Sequence, residues 1–243
     1  MNLDSRIALV TGATSGIGRA IAVALAGRGA KILAHGRNPE AAAALEREIG
    51  CATMLGDIAD PEVCAAVVAR AWDAFGGLDI LIHAAGGPAP GNLLDVSPEA
   101  WHRAFDVHVH AVYHLCRHAV PVMKTRGDGA ILLISSAAGS RGCLGALAYG
   151  VAKGCLPQFA RNLARELAPA NIRVNSISPG VIRTPFQDFL TPEQVRNNIE
   201  NRIPLRREGT PADVAAIAVA LIENGFITGE DVAIDGGMTM RIA

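Results

Sequence analysis

The chain has 243 residues, half of them hydrophobic and 19% charged, with a formal net charge of −1. The near-zero charge gives no global field to attract nucleic acid or an anionic membrane, no apolar run is long enough to cross a bilayer, and the first residues lack the pattern of a secretory signal. Five cysteines without a C-x-x-C pair favour reduced thiols. We therefore expect one cytoplasmic domain over residues 1–243, which is long enough to bury a sizeable core.

Short apolar strands alternate with helices along the chain. The pattern predicts strands at 6–10, 31–34, 52–55, 79–82, 130–135, 173–177 and 232–234. It predicts helices at about 17–28, 39–49, 61–75, 101–123, 149–167 and 212–222. Strict alternation with all-apolar strands is typical of a parallel sheet covered on both faces. We therefore expect an α/β Rossmann fold with a doubly wound, seven-stranded sheet, whose ligands bind beyond the carboxyl ends of the strands.

The first strand runs directly into a glycine-rich turn, Thr11 to Gly18. Glycines between a strand and a helix let the backbone approach a pyrophosphate, whose charge meets the helix N-terminus. The G-x-x-x-G-x-G spacing differs from the G-x-G-x-x-G of other Rossmann proteins, and a plain tight turn is the competing interpretation. We favour a dinucleotide site, with contacts from Gly12, Thr14, Ser15, Gly16, Ile17 and Gly18.

The end of the second strand indicates which dinucleotide binds. A site that prefers NAD places an acid there to bond the ribose 2′-hydroxyl, but this chain reads Ala34-His35-Gly36-Arg37-Asn38. An arginine at this place suits a 2′-phosphate, and a charge-assisted bond of about 1.5–3 kcal/mol implies roughly a 10- to 150-fold preference. NADP is the predicted cofactor, bound in part by Arg37 and Asn38, with NAD as the alternative if Arg37 is only a solvated loop charge.

Tyr149 and Lys153 stand four residues apart, a spacing that places two side chains on one face of a helix. A phenol with a pKa near 10 is a poor acid at neutral pH. An ammonium about 4 Å away, at an effective dielectric near 20, would favour the phenolate by roughly 4 kcal/mol and so lower that pKa. Ser136 follows the fifth strand and can present its hydroxyl to the same space. The pair alone is common on helix surfaces, but here it lies at the strand ends, as the glycine turn does.

Together these motifs resemble the short-chain dehydrogenase/reductase family, and the resemblance covers essentially the whole chain. Asp57 after the third strand and Asn175-x-Ile177-x-Pro179-Gly180 also match, as does Ile227-Thr228-Gly229 before Asp235-Gly236-Gly237. The resemblance implies hydride transfer between a nicotinamide and a carbonyl/alcohol pair.

The resemblance also implies roles for individual residues. Tyr149 would exchange the substrate proton, Ser136 would hold the substrate oxygen, and Lys153 would bond the nicotinamide ribose while tuning the tyrosine. Asp57 would meet the adenine. The remaining cofactor contacts would come from Ile58, Ala84, Ala85, Gly86, Pro179, Gly180, Ile182 and Thr184.

Two positions depart from the family pattern. After the fourth strand the family usually has Asn-Asn-Ala-Gly, whereas this chain has His83-Ala84-Ala85-Gly86 and so lacks a side-chain amide. On the long helix, His108 stands where the family has a catalytic asparagine, whose main-chain carbonyl holds a water of a proton relay. A histidine keeps that carbonyl and adds a titratable imidazole. We expect activity to persist, with His108 either taking part in catalysis through the relay or replacing the asparagine only structurally.

His110, His114 and His118 recur every four residues on the same helix. Such a row could chelate a metal, but no carboxylate or cysteine pattern completes a site. In the resembled family this helix usually packs in a subunit interface. We therefore expect no metal site, and by analogy a homotetramer or homodimer.

Residues 184–207 correspond to the mobile substrate cover of the family. Phe186, Phe189 and Leu190 are expected to supply an apolar wall. Arg141 and Arg183 are candidate contacts for an anionic substrate, or ordinary loop charges.

The chain is similar to bacterial members that reduce 3-oxoacyl carrier-protein thioesters or oxidise sugars and polyols. An acidic carrier protein needs a basic rim on its reductase. Ala168-Pro169-Ala170 supplies no basic side chain, and the charge of Arg126 is offset by Asp128. A small polar ketone, sugar or polyol is therefore the predicted substrate, with a 3-oxoacyl thioester as the alternative and no nucleic-acid or membrane partner.

A sensor or scaffold that binds NADP without turnover is the non-enzymatic alternative. It predicts the loss of Tyr149 or Lys153, and both are present.

Overall fold

The structure, a computed structural model, describes residues 1–188 and 190–240. Seven parallel strands form one sheet in the order β3-β2-β1-β4-β5-β6-β7, which confirms the predicted fold. The strands are β1 (Ile7–Thr11), β2 (Lys31–Gly36), β3 (Ala52–Leu55), β4 (Ile80–His83), β5 (Gly129–Ile134), β6 (Ile172–Pro179) and β7 (Asp231–Ile234). The chain order reverses between β1 and β4, and a sheet of this kind opens its ligand crevice at such a point.

Helices cover both faces of the sheet. They are α1 (Gly16–Ala26), α2 (Pro39–Ile49), α3 (Pro61–Phe75), α4 (Pro98–Phe105), α5 (Ala111–Lys124), α6 (Ala137–Ser140), α7 (Leu147–Leu167), α8 (Pro192–Asn197) and α9 (Pro211–Glu223). Short 3-10 turns follow at Ala168–Ala170, Pro185–Gln187 and Met238–Met240. No helix among the described residues is both long enough and apolar enough to cross a membrane.

The apolar core has two parts, one on each face of the sheet. On one face α1, α2 and α9 bury side chains such as Ile21, Leu45 and Val219. On the other face α3, α5 and α7 bury side chains such as Leu115 and Leu156. Successive residues of each strand feed opposite faces, which explains why the strands are apolar throughout rather than alternating.

The long helix predicted at 101–123 is interrupted. A π-helical turn, Asp106–His110, joins α4 to α5, and the amide of Ala111 donates to the carbonyl of Asp106 one residue farther back than in an α-helix. The run also begins earlier than predicted, because the Ser97 side chain accepts the Ala100 amide and caps α4. Residue periodicity does not reveal a single inserted residue of this kind.

Two short helices were not predicted. Ser136 caps α6 by accepting the Ala138 amide. Within residues 184–207, expected as an irregular excursion, Thr191 and Gln194 form a capping box that begins α8, and a π-helical turn follows at Asn198–Arg202.

Candidate active site

An open cleft of about 820 Å³ lies at the carboxyl ends of the central strands. The three candidate catalytic side chains of Ser136, Tyr149 and Lys153 line it, together with His108. Of the predicted cofactor contacts, the cleft is also lined by Gly12, Ser15, Gly16, Ile17, Gly18, Ala84, Ala85, Gly86, Pro179, Gly180, Ile182 and Thr184.

The glycine turn is shaped for close backbone approach. Gly12 has φ +67, and a β-carbon on it would lie 2.7 Å from the Cα of Ala85. A β-carbon on Gly18 would lie 2.3 Å from the carbonyl oxygen of Gly12. Both positions therefore require glycine, and they leave the N-terminus of α1 open to the cleft, as an anionic pyrophosphate needs.

The other predicted cofactor contacts lie outside the lining of this cleft. Thr14 is in the glycine turn, and the remaining four follow β2 and β3: Arg37, Asn38, Asp57 and Ile58. Asn38 caps α2 by accepting the Ala41 amide, and the Ile58 side chain is buried in the core, so only its backbone can reach a ligand. The Asp57 carboxylate accepts from Arg103 Nη2 at 2.6 Å and from the Ala59 amide at 3.1 Å. Burial opposes its ionisation, but these donors hold the pKa of Asp57 below its usual range.

A β-carbon on Gly36 would lie 2.4 Å from Cγ2 of Thr14. Thr14 thus occupies the space that a side chain at the end of β2 would need. An acidic side chain at position 36 does not fit beside it, whereas the adjacent Arg37 is exposed.

Ser136, Tyr149 and Lys153 are brought together by β5 and α7. Lys153 is buried, and its Nζ donates to the carbonyl of Ile134 at 2.7 Å and lies 5.9 Å from the centre of the Tyr149 ring. The Ser136 hydroxyl oxygen accepts the Ala138 amide at 3.1 Å and shares a hydrogen bond with the Tyr149 phenol. A substrate oxygen placed here would meet both hydroxyl groups.

The pKa values in the site differ from the expected tuning. Burial without a carboxylate partner lowers the pKa of Lys153 to about 7. Burial also raises the pKa of Tyr149, which the hydrogen bond with Ser136 offsets only in part. The predicted depression of the Tyr149 pKa by Lys153 is therefore wrong in this structure, because the ammonium is aimed at Ile134 rather than at the phenol oxygen. The phenol stays protonated at neutral pH.

The residues that hold α7 against β5 were not predicted from the sequence. Ser135 donates its hydroxyl to the main-chain carbonyl of Lys153 at 2.8 Å. A β-carbon on Gly139 would lie 2.6 Å from the backbone nitrogen of Gly154, so α6 and α7 touch through glycines. The glycines at 139 and 154 were visible in the sequence, but only the structure shows that they face each other.

The two histidines that depart from the family pattern are both buried. His83 Nδ1 lies 3.0 Å from Oγ1 of Thr11, and its Nε2 lies 3.1 Å from the carbonyl oxygen of Val107. Burial lowers the pKa of His83 to about 3 and lowers that of His108 well below the usual value. Both imidazoles are therefore neutral at physiological pH.

The inner wall of residues 184–207 is only partly apolar. The Phe186 ring lies 5.8 Å from the Tyr149 ring, and Leu190 lines the cleft. Phe189, predicted to share this wall, lies outside the described residues. The wall also carries polar side chains that were not predicted from the sequence: Gln187, Gln194, Asn197, Asn198 and Arg202.

The two arginines proposed as anion contacts are placed differently. Arg183 pairs with Glu208 and does not line the cleft, whereas Arg141 does line it and donates from Nε to the Thr239 carbonyl at 3.1 Å. Among the described residues no group of three or more His, Cys, Asp or Glu side chains could hold a metal ion. In the histidine row, His110 Nδ1 lies 2.9 Å from Asp106 Oδ1.

Comparison with known proteins decides the family. A family model described as enoyl-(acyl carrier protein) reductase matches residues 12–239. Dehydrogenase/reductase SDR family member 4 of Oryctolagus cuniculus is 36% identical over 252 residues, which cover 99% of this chain and 96% of that protein. The chain belongs to the short-chain dehydrogenase/reductase family.

Other members of the family are similar over their whole length. The 3-oxoacyl-[acyl-carrier-protein] reductase FabG of Vibrio cholerae is 34% identical, with 99% of this chain and 100% of that one covered. The structure of L-sorbose reductase from Gluconobacter frateurii, complexed with NADPH and L-sorbose, superposes with a TM-score of 0.91 at 31% identity and 100% coverage of both chains. The protein is thus an oxidoreductase that transfers a hydride between NAD(P) and a carbonyl/alcohol pair, as the sequence predicted.

Proposed function

We propose that this protein is an NADP-dependent reductase of small polar ketones of the sugar or polyol type. The observation that carries the proposal is the convergence of Ser136, Tyr149 and Lys153 on a cleft that begins at the glycine turn. When bound there, the nicotinamide supplies the hydride for the carbonyl carbon.

The side chains of the cleft handle the carbonyl oxygen and its proton. The Ser136 hydroxyl oxygen accepts the Ala138 amide, and the hydroxyl proton that serves the hydrogen bond with Tyr149 can turn to the substrate oxygen. Tyr149, whose pKa burial raises, is protonated at neutral pH and donates its proton to the developing alkoxide. Lys153 adds a buried positive charge next to the resulting phenolate. This protonation state suits the reduction step, in which the phenol gives its proton to the alkoxide.

The preference for NADP is supported by the end of β2. Thr14 fills the space where an acid at position 36 would reach the ribose, and Arg37 is exposed beside it. The similar L-sorbose reductase is complexed with NADPH. A guanidinium at this place would bind a 2′-phosphate bidentately.

The proposal of a polar substrate is supported by residues 184–207, which form one wall of the cleft. The Gln187 side chain is half-buried in the wall of the cleft, and its amide group has no hydrogen-bond partner among residues 1–188 and 190–240. Its amide is therefore available to a substrate hydroxyl, which it can meet as donor or acceptor. The similar reductase was solved with L-sorbose, a polyhydroxylated ketone.

The proposal is tested by following NADPH absorbance with purified protein against ketoses, diketones and an acetoacetyl thioester. We expect turnover on ketoses, and a Gln187→Leu variant with a raised KM for the ketose at an almost unchanged kcat. Turnover confined to the thioester would replace the polar ketone by the second candidate, a 3-oxoacyl thioester. That candidate is favoured by the similarity to FabG and by Leu144, which is 94% exposed at the cleft.

The cofactor is tested at Arg37. We expect Arg37→Gln to weaken NADPH binding about 10- to 150-fold, as for the loss of one charge-assisted bond, and to leave NADH binding unchanged. Arg47→Gln, the same charge change at the other end of α2, should alter neither. Equal weakening of both dinucleotides by Arg37→Gln would refute a role at the 2′-phosphate. Fluorescence titration of reduced cofactor measures all three proteins.

We also propose a homotetramer or homodimer in the cytoplasm. Aromatic surface on the outer helices supports self-association, since Trp72 on α3 and Tyr113 on α5 are each 49% exposed. Five free cysteines support a reducing compartment. Light scattering of the purified protein would show the subunit number, and a monomer at micromolar concentration would contradict the assembly.

A further inference from the structure

The imidazole of His108 is 1% exposed and only half satisfied. Its Nε2 lies 3.1 Å from the carbonyl oxygen of Gly87, which can only accept, so Nε2 carries the proton and donates. Nδ1 therefore presents a bare lone pair, and it is buried without a hydrogen-bond partner among the described residues. A buried acceptor without a donor is costly, and natural proteins rarely keep one away from a functional site.

His108 Nδ1 and the Lys153 ammonium share one small space. A β-carbon on Gly86 would lie 3.2 Å from His108 Nδ1 and 3.7 Å from Lys153 Nζ, so both nitrogens border the small space that this glycine leaves open. The imidazole also meets the Tyr149 ring edge-on, with the ring centres 5.4 Å apart. The titratable groups around His108 are thus Lys153 and Tyr149 from α7 and His83 from β4.

Lys153 has hydrogen atoms to give to this acceptor. A protonated lysine carries three donors, and one of them is used by the Ile134 carbonyl at 2.7 Å. We propose that His108 Nδ1 accepts a hydrogen bond from the Lys153 ammonium through one bridging water and thereby stabilises the charged form of the lysine beside Tyr149. His108 is then a positioning residue that acts through its side chain. This inference rests on the proposed reductase function for its effect on turnover, but not for the contact itself.

His83 fixes the turn that carries His108. Its Nε2 donates to Val107, the residue before His108 in the π-helical turn, and its Nδ1 accepts from the Thr11 hydroxyl. The Thr11 oxygen in turn accepts the Ala85 amide at 3.2 Å. Both ring nitrogens of His83 and the Thr11 hydroxyl thus have partners, so His83 tethers the π-helical turn to the sheet. His83 therefore holds in place the π-helical turn that contains His108.

The His108 acceptor affects the pKa of Lys153. An acceptor next to the ammonium favours the charged lysine, so removing it lowers the pKa of Lys153 further. We expect His108→Leu to reduce kcat about 10- to 100-fold, the range for losing a hydrogen bond to a charged group, with little change in KM for the ketone. The alkaline limb of the kcat profile should move to lower pH. His108→Asn, whose amide oxygen is again an acceptor, should restore kcat and return the alkaline limb of the kcat profile to its wild-type pH.

The contact is tested separately by nitrogen NMR of histidine-labelled protein, with the His108 signals assigned by their loss in His108→Asn. We expect one neutral imidazole protonated at Nε2, and a Nδ1 signal that shifts when Lys153→Met removes the donor. A Nδ1 signal unchanged in Lys153→Met, or wild-type kcat in His108→Leu, would overturn the inference. If the wild-type protein reduces no ketone, the proposed function fails, and the NMR comparison still decides the contact.

Discussion

Lys153 is a buried ammonium that has a main-chain carbonyl, not a carboxylate, as its hydrogen-bond acceptor. Burial favours the neutral amine, which is why the pKa of Lys153 falls to about 7 from its ordinary value of 10.5. Keeping the charge there costs folding free energy. The positive charge next to Tyr149 therefore lowers the stability of the folded protein.

The desolvation cost of the buried lysine predicts how the effect of Lys153→Met on stability changes with pH. Below pH 7 the lysine is charged in both the folded and the unfolded chain, so the folded state bears the full desolvation cost. The cost disappears as pH rises from 7 towards 10.5, because the folded lysine is then neutral. We expect Lys153→Met to abolish turnover and to raise the thermal midpoint more at pH 6 than at pH 10.

Thermal denaturation at the two pH values measures this difference. Lys124→Met, which removes an exposed charge at the end of α5, is the matched control and should show no such pH dependence. A Lys153→Met variant that is less stable at pH 6 than the wild type would show that the lysine stabilises the fold in its charged form.

At the scale of elements, the site depends on how closely α7 approaches α6. A β-carbon on Gly139 would lie 2.6 Å from the Gly154 nitrogen and 2.7 Å from the carbonyl carbon of Lys153. These are backbone atoms, which cannot turn aside as the end of a flexible side chain can. Any side chain at 139 must therefore push α7 away from the strand end that carries Ser136.

We expect Gly139→Ala to lower kcat by about tenfold or more, since an offset of about 1 Å between reacting groups can cost far more than the lost contacts. The fold should persist with a lowered thermal midpoint. Gly225→Ala, at a glycine with open space around it, is the control and should leave activity and stability unchanged. Wild-type kinetics in Gly139→Ala would mean that the spacing of the two helices does not matter.

The sequence predicted the elements that have strong periodicity and failed where one residue decides the geometry. Apolar strands and amphipathic helices gave the parallel sheet, and the glycine turn and Tyr149/Lys153 were placed at its carboxyl edge. The π-helical turn depends on a single shifted hydrogen bond at Ala111, which leaves no mark on the periodicity. The direction of the Tyr149 pKa depends on where the Lys153 ammonium points, and only the packed structure settles that.

At the scale of the molecule, the two ends of the sheet do different work. The carboxyl end carries the cleft, whereas at the amino end Asp79 is 0% exposed and binds two arginines. Its carboxylate accepts from Arg6 at 3.1 Å, from Arg126 at 3.0 Å and from the Ile7 amide at 2.9 Å. It ties β1, the start of β4 and the turn before β5 together. Burial opposes its charge, but Arg126, the Ile7 amide and Arg6 hold the pKa of Asp79 below its usual range.

We expect Asp79→Ala to lower the free energy of unfolding by about 3–5 kcal/mol, the usual cost of leaving buried charges without their partner. Because the folded pKa is depressed, the wild-type contribution is fully present above the usual carboxyl range and fades as pH falls below it. Urea denaturation at pH 7 and pH 3 should therefore show a smaller difference between the two proteins at pH 3. Asp73→Ala, on the exposed face of α3, is the control. Equal stability of Asp79→Ala and the wild type at pH 7 would contradict this assignment.

In the proposed reaction, the cleft transfers a hydride from NADPH to a ketone with Tyr149 as the proton donor. The most direct test uses NADPH carrying deuterium at the transferred position of C4 and a ketose, with the product analysed by mass spectrometry and NMR. We predict one deuterium on the new carbinol carbon with the wild-type protein and at least a hundredfold less product with Tyr149→Phe, in line with the loss of a general acid. Deuterated alcohol formed equally well by Tyr149→Phe would contradict the account, as would tight NADPH binding with no deuterium transferred to any ketone.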